Sequence, residues 1–384
     1  MARMSRREFL QASSATALST LPWAASAQSA DERILFVGTQ TAATSKGIYG
    51  YSFNSATGKL KQIGLAVEAN NPTFLAIAPD GRTLFAAGEL DEYGGKKTGA
   101  VSSFVIDRKA PKLTKINEVS AGGPGTCHVS ADHTGRCAFV ANYGGGSAAS
   151  FAVSKTGKLS EAVSFFQYTG HGPKEEQVGP RGHRVTASPD NRFLLVNDLG
   201  LDQIHVYRLD AATAKLTLHD PSAWKAEPGS GPRVLRFHPN GKWAYCVNEL
   251  GSSVNVLDWD AQKGVFTTVQ LISTVPEGHH GPSAPSEGVL DKAGRFLYVA
   301  NRLDDFMVSY SISPNDGRLT LMERTSCGGK TPRHIALDPS ERWLLVANQD
   351  TDAISVFERD RKTGKLAKEG KDFPISKPQC IVFL

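Results

Sequence analysis

The chain has 384 residues, with 43 Lys and Arg against 38 Asp and Glu and a formal net charge of +5. That excess is small and evenly spread, so it argues against nucleic acid or an anionic membrane surface as a partner. Five cysteines, an odd number without C-x-x-C spacing, argue against a disulfide framework or zinc site and read as buried small hydrophobes or free thiols.

The first 27 residues read as an export signal. Ser5-Arg6-Arg7-Glu8-Phe9-Leu10 is a twin-arginine signature, and a weakly apolar stretch runs on to about Trp23. Ala25-Ser26-Ala27 then supplies the small residues after which a signal peptidase cuts. The expectation is delivery of an already folded protein to the periplasm by the twin-arginine export machinery. Residues 28–384 remain as one mature domain, with a net charge near +3 once Arg3, Arg6, Arg7 and Glu8 are removed. No later stretch approaches the roughly 18 apolar residues of a membrane span.

Beyond the signal the chain repeats. "NPTFLAIAPDGRTLFAAGE", "GTCHVSADHTGRCAFVANY", "RGHRVTASPDNRFLLVNDL", "GPRVLRFHPNGKWAYCVNE", "PSEGVLDKAGRFLYVANRL" and "TPRHIALDPSERWLLVANQ" share one plan. Each is a short strand, a turn rich in Asp, Asn, Pro and Gly, and an apolar run. The runs end at Gly88, Asn142, Asn197, Asn248, Asn301 and Asn348, spaced 47 to 55 residues apart. A third strand follows each ("SVNVLDWD", "AISVFERD"), and in several units a "TGKL"-type turn leads to a fourth. Four antiparallel strands per repeat of this length predict a β-propeller blade.

The termini set the count. Ile34–Thr39 looks like a second strand without its first, and Lys377–Leu384 resembles a first strand without its second. Joined, they complete a seventh blade and remove the free edge of an open ring. The predicted fold is therefore all-β, a seven-bladed propeller closed by strands from both termini.

In such a blade the start of the first strand and the end of the second emerge at the same mouth of the channel. The segment "GPRVLRFHPNGKWAYCVNEL" thus sets Arg233 against Glu249, at similar distances from its turn. The same placement brings His128 and Tyr143, His183 and Asp198, Glu287 and Arg302, and Arg333, His334 and Gln349 to that mouth. Opposed charges at a partly dehydrated opening suit a small anionic or oxygen-rich ligand, and a guanidinium fork suits a carboxylate, a phosphate or a developing oxyanion. A purely structural reading makes Arg233 and Glu249 a staple of one hairpin and turns Arg302 toward Asp304 or Asp305. The loops Tyr168–His183 and Glu277–Gly288 are long and rich in Pro and Gly, and the first reads as a flap over the mouth. His279-His280 lacks the carboxylate spacing of a metal site.

"GTCHVSADHTGRCAFVANYGGGS", "VNDLGLDQIHVYRLD", "GPRVLRFHPNGKWAYCVNELGSSV", "GRFLYVANR" and "TPRHIALDP" together resemble the seven-bladed propeller lactonases. That family includes bacterial 6-phosphogluconolactonases and fungal carboxymuconate-lactonizing enzymes. The resemblance covers nearly all of the mature chain. It implies a catalytic set of His183, Arg233, Glu249 and Arg302, while His128, Tyr143, Asp198, Glu287, Arg333, His334 and Gln349, which hairpin placement brings to the same mouth, are expected around the substrate. Where relatives often read Gly-Pro-Arg-His, this chain has Val234. The implied reaction is hydrolysis of a sugar lactone, with His183 or Glu249 as general base on water and the arginines on the anion, without cofactor or metal. Two alternatives are a lactonizing cycloisomerase acting on a muconate-type diacid and a non-catalytic binding propeller. The ring is expected to work as a monomer.

Overall fold

In the repeats, β-branched and aromatic residues make strands, and two kinds of strand differ in exposure. The second strands, such as Cys137–Asn142 and Phe193–Asp198, are buried along their whole length, whereas the fourth, such as Leu159–Gln167, alternate toward solvent. That pattern requires sheets covered on both faces by like sheets and open only at an outer edge. The computed structural model describes residues 31–41 and 44–384; the twin-arginine and cleavage patterns lie outside the described residues.

Seven four-stranded antiparallel sheets form a closed ring. Residues 72–120, 126–167, 182–225, 232–273, 284–326 and 332–374 make the first six blades. In the seventh, Pro378–Phe383 from the C-terminus lies innermost and pairs with Glu32–Thr39 from the N-terminus, from Leu35↔Phe383 to Thr39↔Pro378. The sequence-predicted closure is therefore the observed one.

Neighbouring blades share apolar clusters. Phe85 and Val101 of the first blade meet Val140 and Phe151 of the second, and Leu345 and Val356 of the sixth meet Leu35 and Tyr51 of the seventh. Truncating a buried ring such as Phe151 to Ala is worth about 3–5 kcal/mol. The asparagines that end the second strands are buried and tie the rim. Asn142 Nδ2 donates to Ala121 O and Ser147 Oγ, and Asn348 Nδ2 to Cys327 O and Ser355 Oγ. At the opposite ends of these hairpins Asp132, Asp291 and Asp338 accept backbone N–H groups of their own turns, at 2.9 Å from Cys137, Phe296 and Trp343.

One irregularity recurs in all seven innermost strands. The pairing register slips at Thr73, Cys127, His183, Arg233, Ser286, Arg333 and Gln379. Each is the extra residue of a β-bulge next to the strand's start. Since side chains otherwise alternate between faces, the added residue resets the alternation. Thr73 and Phe74, Cys127 and His128, and His183 and Arg184 accordingly face the same void in the channel as adjacent pairs.

Candidate active site

The upper layer of the channel is built from bulge residues and second-strand ends. Arg233 Nε lies 2.6 Å from Glu249 Oε2, and Arg302 Nη2, from the next blade, lies 2.7 Å from the same oxygen. Glu249 Oε1 accepts no hydrogen bond among the described residues. Both guanidiniums thus crowd onto one carboxylate oxygen. Asp304 instead lies 3.5 Å from His279, and Asp305 accepts from Thr331 N and Lys330.

His183 projects from its own bulge with its ring edge-to-face on Tyr143, centroids 5.6 Å apart. Its imidazole makes no hydrogen bond to any described residue. Burial lowers its pKa well below the ordinary imidazole value, and the positive charges of Arg233, Arg333 and Arg302 lower it further. Burial alone would raise the Glu249 carboxyl, but Arg302, Arg233 and Arg333 outweigh it and hold the group below its usual value. Desolvation also drops Arg233, to about 9. At neutral pH the layer therefore holds a neutral imidazole, an ionised carboxylate and guanidiniums in excess.

Of the other residues assigned to this mouth, Tyr143 is half-buried at the rim. Arg181 from the long loop lies 5.2 Å over its ring. Arg333 lines the same central void as His183 and Arg233, and Gln349 Oε1 accepts from Gln379 Nε2 at 2.9 Å. The loop is pinned: buried Gln177 donates to Leu199 O and Asp202, and Lys174 to Leu250 O.

Four assigned residues are not part of the Arg233 cluster. Asp198 is fully buried and turned into the rim backbone, where it accepts from Arg181 N, Gly200 N and Leu201 N. His128, Glu287 and His334 are the residues after their bulges and lie one layer deeper. There Glu287 meets Arg184 Nη1 at 3.0 Å, Arg236 Nη2 at 3.0 Å and His334 Nε2 at 3.8 Å. Arg302 does not face Glu287, as hairpin symmetry had suggested. Val234 is at the equivalent deeper position of its blade, in an apolar cluster with Tyr245 and Val308, so the missing histidine belongs to this layer and not to the rim.

The sequence reading passed over Arg184 and Arg236, two mid-strand arginines, together with Thr73, Cys127 and Gln379. It also missed a rim recess of about 270 Å³ beside Tyr143, lined by Gln40, Asn71, Thr73, Glu89 and Asp91. Glu89 follows Gly88 as Glu249 follows Asn248, a repeat-level signal that was available.

Residues 34–383 match the model of the lactonases with a 7-bladed β-propeller. The chain belongs to that family. Among curated relatives it is 33% identical over 349 residues to a 6-phosphogluconolactonase of Bacillus subtilis, covering 91% of this chain and 97% of that one. It is 33% identical to a 6-phosphogluconolactonase of Formosa agariphila, covering 87% and 94%. Among solved structures, a periplasmic gluconolactonase of Pseudomonas aeruginosa superposes with a TM-score of 0.87 at 34% identity, covering 92% and 99%.

Proposed function

We propose that this protein hydrolyses a sugar lactone of the gluconolactone type at the upper mouth. The observation that carries the reading is a neutral imidazole, without a hydrogen-bond partner among the described residues, beside arginines bridged by one carboxylate, in a chain whose family relatives are lactonases. His183 takes a proton from water as the water oxygen attacks the lactone carbonyl carbon. The carbonyl π pair moves onto oxygen, giving a tetrahedral oxyanion facing Arg233, Arg302 and Arg333. When that pair returns, the ring C–O bond breaks, and His183 hands its proton to the leaving alkoxide. Glu249 holds Arg233 and Arg302 against each other's repulsion. The arginine field weakens His183 as a base before the reaction starts; the growing oxyanion offsets that field, so basicity rises as the reaction proceeds. General-base catalysis supplies roughly 10²–10⁴ in rate and fixed donors to the oxyanion roughly 10²–10³.

The same reading puts the mature protein in the periplasm, exported through Arg6 and Arg7, in keeping with the Pseudomonas aeruginosa relative. Acid release in a pH-stat, with glucono-δ-lactone and its 6-phosphate as substrates, tests the activity. Turnover above the buffer rate with at least one is expected; none with either contradicts it. Arg6→Lys with Arg7→Lys is expected to leave an N-terminal reporter fusion inside the cell, and unchanged export contradicts the twin-arginine route.

A further inference from the structure

The opposite end of the channel carries a concavity that lactone hydrolysis does not use. A cavity of about 530 Å³ opens there, walled by apolar residues that include Val129, Val185, Phe237, Leu290 and Ile335. Its polar end is the deeper layer. Two guanidiniums, Arg184 and Arg236, meet a single carboxylate, Glu287. The histidines add no charge. His128 Nδ1 accepts from Val185 N and His334 Nδ1 from Ile381 N, each at 3.4 Å. A nitrogen that accepts bears no proton, so both rings are neutral and carry hydrogen on Nε2. One positive charge in this layer is unmatched.

Donors are left over as well. Glu287 takes Arg184 Nη1 and Arg236 Nη2, and Arg236 Nε goes to Gly288 O. Arg184 Nε and His128 Nε2 are buried without a partner among the described residues. Both residues line the cavity and are only 5% and 3% exposed. Arg236 is partly exposed at the cavity, but Arg184 is desolvated and keeps an unused N–H, which is unfavourable until an anion completes it.

We propose that this cavity binds a small organic monoanion, a carboxylate on an apolar aryl or alkyl body. The carboxylate meets Arg184 and Arg236, and the body packs on the apolar walls. One negative charge balances the layer, whereas a dianion over-compensates it and a polyol strands its hydroxyls against the walls. Calorimetric titration with benzoate, and with benzamide as its uncharged counterpart, tests this. Saturable benzoate binding is expected, with benzamide at least about tenfold weaker. Arg236→Gln weakens benzoate about tenfold, Leu290→Trp blocks it by filling the cavity, and Arg302→Gln at the other mouth leaves it unchanged. The proposal is overturned by no benzoate binding, by benzamide binding equally well, or by binding lost in Arg302→Gln but kept in Arg236→Gln.

Discussion

Two carboxylates in this channel each meet two guanidiniums, yet they differ in what they have left to offer. Glu287 is 1% exposed, and its oxygens take Arg184, Arg236 and the backbone N–H of Gly288. Glu249 keeps 16% of its side chain exposed and engages both arginines through one oxygen. The saturated Glu287 carboxylate ties two blades together and has no oxygen to spare, although Arg184 beside it keeps an unused N–H. An unsaturated carboxylate can trade its contacts for a reacting anion without unpicking the fold.

That contrast can be broken by substitution. The largest effect is expected at His183. His183→Ala should lower kcat/KM for the lactone by roughly 10²–10⁴ with an unchanged denaturation curve; a merely structural histidine would shift the curve and spare the rate. Glu287→Gln comes next, because it removes the fully buried counter-charge shared by buried Arg184 and partly exposed Arg236. A stability loss of about 3–5 kcal/mol in urea titration is expected, against less than about 2 kcal/mol for Glu249→Gln. Equal losses would erase the distinction between the layers. Arg302→Lys keeps the charge and gives up the fork, so a fall of roughly tenfold in kcat/KM should follow with little change in stability.

The smallest effect is a pH dependence of stability. His128 and His334 are lowered by burial, His334 to about 4, with Arg184 and Arg236 adding to the effect. Above pH 6.5 both folded and unfolded chains hold these rings neutral. As pH falls from 6.5 toward 4 the unfolded chain gains protons that the folded one refuses, and stability is lost. The slope approaches about 1.4 kcal/mol per pH unit for each histidine. The Glu287 carboxyl, held low by Arg184 and Arg236 against its own burial, adds loss only below its unfolded value near 4.5. Replacing His128 and His334 by Gln should reduce the slope in the first window, with buried His183 supplying what remains, and leave the second.

The ring and its closure were legible because blades repeat, so six imperfect copies and two half-copies report the same geometry. The Arg233–Glu249 pair was legible for the same reason, since two residues equally far from a hairpin turn must come out together. The bulge was not. An extra residue in a six-residue strand leaves no mark in polarity, and it decides which of two neighbours reaches the rim. It therefore separated Arg333 from His334 and His183 from Arg184, and it sent Glu287 below the layer where hairpin counting had put it. Arg184 and Arg236 were missed because an arginine inside a strand reads as an outward-facing residue until its neighbours across the channel are known.

The most direct test of the account is the pH profile of kcat/KM for glucono-δ-lactone in the parent and in His183→Ala. A base held neutral far into acid by burial and three arginines should sustain the plateau well below pH 6.5, and the acid limb should disappear with the imidazole. A limb centred near pH 6.5, or one that persists unchanged in His183→Ala, would contradict it.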